Sequence, residues 1–153
     1  MTPRLDPYSV SPKEMQELIS FHEFRELSGI DENLVELLRV RVSQINACTS
    51  GVRRHMRRAR NLGETDERLE SLNVWRETTL YTERECAALE WTEAATLPYH
   101  HTTTERAFEN ISQWFTDSEV VKLTTVAAAT SAWNRVERCF SRDLPATIDH
   151  VSK

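Results

Sequence analysis

Glycine and proline are scarce in this chain: three glycines and five prolines in 153 residues. That leaves little material for the tight turns that join short strands. Helix-start signatures recur instead. Ser11-Pro12-Lys13-Glu14 joins a capping serine, a proline at the first helical position and a glutamate at the third. Asp31, Thr65, Thr82 with Glu85, Thr102 with Glu105, and Thr116 with Glu119 offer further N-caps or capping boxes. The pattern predicts an all-α domain of about seven helices.

The first helix is expected from Ser11 to Gly29, and the second from Asp31, with Leu34, Leu37, Leu38, Val42 and Ile45 as its buried stripe and a break at Asn46-Ala47. Thr49 and Ser50 are expected to cap a third helix ending at Gly63, and Thr65 a fourth running to Trp75. Two more follow from Thr82 and Thr102. The last is long, from Asp117 to about Arg142, with Val120, Leu123, Ala127, Thr130, Ala132, Val136 and Phe140 on its packing side. No linker or repeat divides residues 1–153, so one domain is expected.

The formal charge of -5 disfavours nucleic-acid or anionic-membrane partners. Residues 1–14 lack the apolar core of a signal peptide, and no apolar run reaches membrane-spanning length, so a cytoplasmic location is expected. Three dispersed cysteines, Cys48, Cys86 and Cys139, suit free thiols better than a disulfide framework. Cys86 and Cys139 are assigned to core packing, and Trp75, Trp91, Trp114 and Trp133 to the core or a subunit interface. His100-His101 has no carboxylate or cysteine at ligand spacing, so neither metal nor cofactor is expected.

Cys48 stands at the mouth of the third helix, where free amides and the helix dipole favour a thiolate. His55 follows two turns later on the same side, with Gly51 on the stripe between them. An antiparallel return of the preceding helix would bring Glu36 over this stripe, so that base, imidazole and thiol meet. Gly51 is unusual, because glycine inside a helix costs about 1 kcal/mol relative to alanine. Either the backbone needs it or a side chain has been removed. Arg54 and Arg58, within a run of arginines read as an ion-paired face, are weak candidates for guiding an anionic substrate.

The segments Glu36 to Cys48, His55, Leu62-Gly63-Glu64-Thr65, Val74-Trp75-Arg76-Glu77-Thr78, Tyr81 to Glu85 and Ala132-Trp133-Asn134-Arg135 closely resemble the carboxymuconolactone decarboxylase family, and within it the alkylhydroperoxidase D (AhpD) branch. The resemblance implies an all-α fold in which a Glu, a Cys-x-x-Cys pair and a following His reduce peroxides through a disulfide cycle. Glu36, Cys48 and His55 match that pattern. Position 51 should hold the second cysteine and holds glycine, which the resemblance makes a lost thiol.

The implied function is thus an alkylhydroperoxidase-type oxidoreductase with a modified site, taking a small peroxide and an external thiol reductant. Two alternatives stay open. One is thiol-independent, decarboxylase-like chemistry on a small organic acid, and the other a non-catalytic oligomeric binding protein. The resemblance also implies a homo-oligomer, a hexamer or trimer.

Overall fold

The computed structural model describes residues 4–23, 29–97 and 101–140, and for 101–103 the backbone only. These residues hold eight α-helices and one 3-10 helix, with no strand among them: α1 (Pro7–Val10), α2 (Pro12–His22), α3 (Glu32–Ile45), α4 (Thr49–Asn61), α5 (Asp66–Ser71), η1 (Leu72–Glu77), α6 (Glu83–Thr96), α7 (His101–Ile111) and α8 (Asp117–Phe140).

Helix α3 is the central post. It packs on α4, α6, α8 and η1, and its buried residues run almost all the way round: Leu34, Val35, Leu37, Leu38, Val40 and Val42, with the polar Glu36, Arg39 and Ser43 among them. A helix buried on most sides leaves little solvent face for its charges, and Glu36 and Arg39 fall on buried positions. They must be satisfied inside, and that requirement creates the site.

The caps formed largely where side chains allowed. Asp31 accepts from the Asn33 amide, Thr65 from Arg68, and Thr82 with Glu85 forms a complete capping box. Thr116 and Glu119 bond each other's backbone amides in the same way ahead of α8. Ser11 makes no side-chain cap, and the start of α2 relies on Pro12. The residue capping α4 is Cys48 itself, with Thr49 and Ser50 inside the first turn, contrary to the expected cap.

Other expectations need correction. Helix α2 ends at His22 rather than near Gly29, although Gly29 does take a left-handed conformation with φ 91°. The short α1 was not expected, although Asp6 caps it through the Tyr8 amide and Pro7 opens it. The fourth helix tightens into a 3-10 turn at Leu72, with non-helical Val74 inside it. On α8 the buried side turns after Thr130 to Trp133 and Asn134, leaving Ala132, Val136 and Phe140 only half-buried. Cys139 is exposed and outside the core, while Cys86 is half-buried against it. Trp75 and Trp133 are buried, Trp91 packs at a tilt on Phe108, and Trp114 is 40% exposed. The side chains of His101 and Thr102, together with His100 and everything beyond Phe140, lie outside the described residues.

Glu93 acts as a clamp: its carboxylate accepts from Trp75 at 2.9 Å, Arg76 at 2.5 Å and Arg41 at 2.7 Å, joining η1, α3 and α6. No helix among the described residues is long and apolar enough to cross a membrane.

The turn between α3 and α4 is made by Ala47, with φ 51°. An L-residue with a Cβ is disfavoured there by about 1 to 2 kcal/mol. Ala47→Gly is therefore expected to raise stability in urea unfolding by up to about 1 kcal/mol, part of the relief being offset by the freer unfolded chain.

Candidate functional site

Where α3, α4 and α8 meet, with α2 alongside, the interior is polar. Helix α3 supplies Glu36, Arg39 and Ser43, α4 supplies Cys48, Ser50 and His55, α8 supplies Trp133, Asn134 and Glu137, and α2 supplies His22. Spacings of three, four and seven residues put Glu36, Arg39 and Ser43 on one side of α3, Cys48 at the N-cap of α4 is seven residues before His55, and Glu137 is three and four residues beyond Asn134 and Trp133. Glu36, Arg39, Ser43, His55, Asn134 and His22 are all buried.

The structure joins two of the three expected groups. Glu36 Oε2 lies 2.8 Å from His55 Nδ1, and Glu36 Oε1 accepts from Arg39 at 2.8 Å. The second amino group of Arg39 donates to the carbonyl of His22 at 2.9 Å. Burial pushes the Glu36 carboxyl up, but His55 and Arg39 outweigh it and hold it below the usual carboxylate range. Burial pulls the His55 pKa down, more strongly than Glu36 raises it, and Arg39 and Arg58 pull the same way. Glu36 is thus the ionised partner and His55 the neutral one. Nδ1–H donates to the carboxylate, and Nε2 carries the lone pair. That Nε2 is buried with no hydrogen-bond partner.

Cys48 belongs to a different set. Its thiol donates to Glu137 at 3.5 Å and lies 3.4 Å from the Ser50 hydroxyl, which itself donates to Glu137 at 2.9 Å. Arg54 pairs with the other Glu137 oxygen and lies over the Trp133 ring at 5.3 Å. Burial works against the Glu137 carboxylate, but Arg54 and Ser50 hold it low and ionised. The expected thiolate is not favoured: burial first, and Glu137 after it, push the Cys48 thiol up despite its place at a helix start. Arg54 is committed to Glu137 rather than available to a ligand. Arg58 stands 3.9 Å from Glu23 at the surface.

Gly51 now has a local reason. A Cβ there would lie 2.7 Å from both Ser43 Oγ and Asn134 Oδ1, and 3.1 Å from Ser43 Cβ. Those two side chains are fully buried and bonded to each other, Asn134 Nδ2 to Ser43 Oγ at 3.2 Å. The space beside position 51 is filled by a serine–asparagine pair. The backbone there is ordinary, so the constraint is volume.

Sequence reasoning missed His22, Arg39, Ser43, Asn134 and Glu137 as site residues. Arg39, Ser43 and Asn134 lay inside the resembling segments, but nothing local marks Glu137 or His22, which reach the seam only through tertiary packing.

Residues 12–94, more than half the chain, match the carboxymuconolactone decarboxylase family. The chain belongs to that family. It is 29% identical over 136 residues to the uncharacterized protein YdfG of Bacillus subtilis (strain 168), covering 89% of this chain and 92% of the relative. Its fold matches the crystal structure of a protein of unknown function from Agrobacterium tumefaciens, provisionally described as the antioxidant defence protein AhpD, with a TM-score of 0.86 and 30% identity over 94% of this chain and 99% of that one. The all-α, AhpD-like fold is thereby established.

Two consequences can be measured. Gly51→Ala is expected to destabilise by about 1 to 3 kcal/mol through overpacking, and Ser43→Ala in the same chain to recover part of the loss, read by urea unfolding. The second concerns pH. Burial, with Arg39 next, lowers the His22 pKa to about 3, against an ordinary value of 6.5. Between those values the unfolded chain binds the proton and the folded chain does not. Stability should therefore be full above pH 6.5 and fall as pH drops toward 3, by at most about 1.4 kcal/mol per pH unit from this group. His55 and Glu36 act in the same direction, and His22→Gln should flatten the profile.

Proposed function

We propose that this chain is an acid–base enzyme that moves a proton on a small organic substrate, with His55 as the base and Glu36 as the group that orients it. One observation carries the reading: the buried Glu36–His55 pair at 2.8 Å, with the other imidazole nitrogen left without a partner. The carboxylate fixes the tautomer and would steady the imidazolium that forms when Nε2 takes a proton from substrate. The hydrogen bond from His55, with Arg39 after it, holds that carboxyl low against burial. The family's name includes a decarboxylase, which supports proton-transfer chemistry on this scaffold.

The disulfide cycle of the AhpD branch does not fit these residues. Position 51 has neither the thiol nor room for one without displacing Ser43 and Asn134. Cys86 is on α6 with its thiol toward the Tyr81 carbonyl, and Cys139 is exposed near the end of α8.

A second reading, peroxide reduction by Cys48 alone, is favoured by one feature. Ser50 and Glu137, the partners of the thiol, line a cavity of about 280 Å³ together with Tyr8, Met15 and Trp133. Beside that cavity the sulfur would attack the peroxide, forming a sulfenic acid and an alcohol; one external thiol would then form a mixed disulfide with loss of water, and a second would release the cysteine. The relative from Agrobacterium tumefaciens, with its provisional link to antioxidant defence, supports this alternative.

The deciding experiment follows hydrogen exchange from D2O into a panel of small carbonyl and carboxylic compounds by NMR, alongside peroxide consumption with a dithiol. Exchange or turnover should fall about 10²- to 10⁴-fold in His55→Asn and persist in Cys48→Ser. Peroxide consumption that vanishes in Cys48→Ser but survives in His55→Asn, with no exchange into any compound, would replace the first reading by the second.

A further inference from the structure

His55 is 0% exposed, so no solute touches its imidazole while the chain keeps this arrangement. A neighbour has to move before the ring can act on a substrate. One ring packed against it is that of His22, the last residue of α2. It stands 5.4 Å from the His55 ring and 5.2 Å from the Trp133 ring, tilted 42° and 34° to them. His22 is thus stacked against α4 and α8 and lies on His55 from the α2 side.

The backbone of His22 and its ring are held differently. The carbonyl accepts from Arg39 at 2.9 Å, which fixes the end of α2 on α3. The ring nitrogen Nε2 is buried and has no hydrogen-bond partner, and burial keeps the imidazole neutral. Leaving the stack therefore breaks no bond at Nε2, and in water that nitrogen gains the partner it lacks. Ring packing favours the buried position and the stranded nitrogen disfavours it. Opposing terms of this kind bring the two positions close in free energy, as a swinging side chain requires.

There is also room for the ring. Phe21, His22, Arg39, Val126 and Ala129 are among the residues lining a cavity of about 140 Å³ between α2, α3 and α8. A protein cavity of about 150 Å³ takes up benzene, which is larger than imidazole. Phe21 and Val121, both in the lining, are 43% and 65% exposed, so the cavity meets solvent. A turn about the His22 side-chain bonds, with the carbonyl pinned by Arg39, carries the ring from the stack into that space. Arg39 keeps its hold on Glu36 throughout, and the carboxylate stays aimed at His55.

We propose that the His22 ring is the gate to His55: it swings into the cavity between α2, α3 and α8, and a small molecule takes the slot it leaves against the imidazole. As a statement about substrate it rests on the reading of His55 as the base. The slot has the size of an imidazole ring, so it admits small molecules and rejects one that carries a phenyl group. His22 determines specificity in this scheme and takes no part in the proton transfer.

The test reads access without reference to turnover. The whole chain is treated with iodoacetamide or with iodoacetanilide, which carries a phenyl ring on the same reactive group. Alkylation of His55 is followed by mass spectrometry in peptides whose Cys48 is unmodified. Iodoacetamide should label His55 in the parent at a rate that low urea leaves unchanged, because a swinging ring exposes little surface, whereas entry by unfolding accelerates steeply with urea. His22→Phe keeps a ring in the stack without a polar atom that gains from water, and should slow labelling at least about tenfold. Ala129→Leu fills the space into which the ring swings and should slow it as much. Circular dichroism confirms each fold, so the test stands if one variant fails to fold. Iodoacetanilide should leave His55 unlabelled. An unlabelled parent, labelling that climbs with urea, labelling unchanged in either folded variant, or equal labelling by the two reagents overturns the gate. Labelling as expected in a chain that exchanges hydrogen into no compound leaves the gate standing and removes the acid–base reading. Hydrogen exchange at a rate that neither variant alters does the reverse.

Discussion

A carboxylate and a guanidinium one turn apart, on a helix that water barely reaches, set the terms for everything around them. Removing Glu36 and Arg39 from water carries a penalty of several kcal/mol per ion, which their mutual attraction offsets only when the remaining bonding positions are also filled. His55 fills one on the carboxylate, and the His22 carbonyl fills one on the guanidinium. The pair therefore fixes which helices may lie against α3 and in what rotation. An apolar pair would pack as well without choosing between neighbours.

Much of this fold could be read from the chain because its signals are local. Capping residues at Asp31, Thr65 and Thr82 mark helix starts through bonds to amides two or three residues away, and no distant partner is needed to recognise them. The failures share the opposite property. Helix α2 stops at His22, where no glycine or proline marks an end. The buried side of α8 swings to Trp133 and Asn134 because α3 and α4 present Ser43 and Gly51 there, a match that no single-helix periodicity contains.

The site divides in the same way. Glu36 and His55 were legible as a pair because their register, once α3 turns back into α4 at Ala47, brings two sequence-near helices together. Cys48 was misjudged on electrostatics. A helix start does favour a thiolate, and Ser50 and the Gly51 amide act in that direction, but burial outweighs them, with the Glu137 carboxylate adding to it. Glu137 comes from 89 residues further along the chain. Helix-dipole reasoning is sound for an exposed first turn and weakens when another helix brings a negative charge to the same sulfur.

The shape of the Arg39 side chain has a mechanical consequence. A lysine ammonium is a point charge on a flexible stem and could follow one neighbour while releasing another. The planar guanidinium holds a carboxylate of its own helix and a carbonyl of α2 through two amino groups whose directions cannot be changed independently. A slide of α2 along α3 would have to rotate that plane, and the rotation would drag the Glu36 oxygens out of line with the imidazole. The placement of an entire helix and the aim of one ring nitrogen thus behave as a single degree of freedom, so that a substitution anywhere along the α2–α8 contact can detune His55 without touching it.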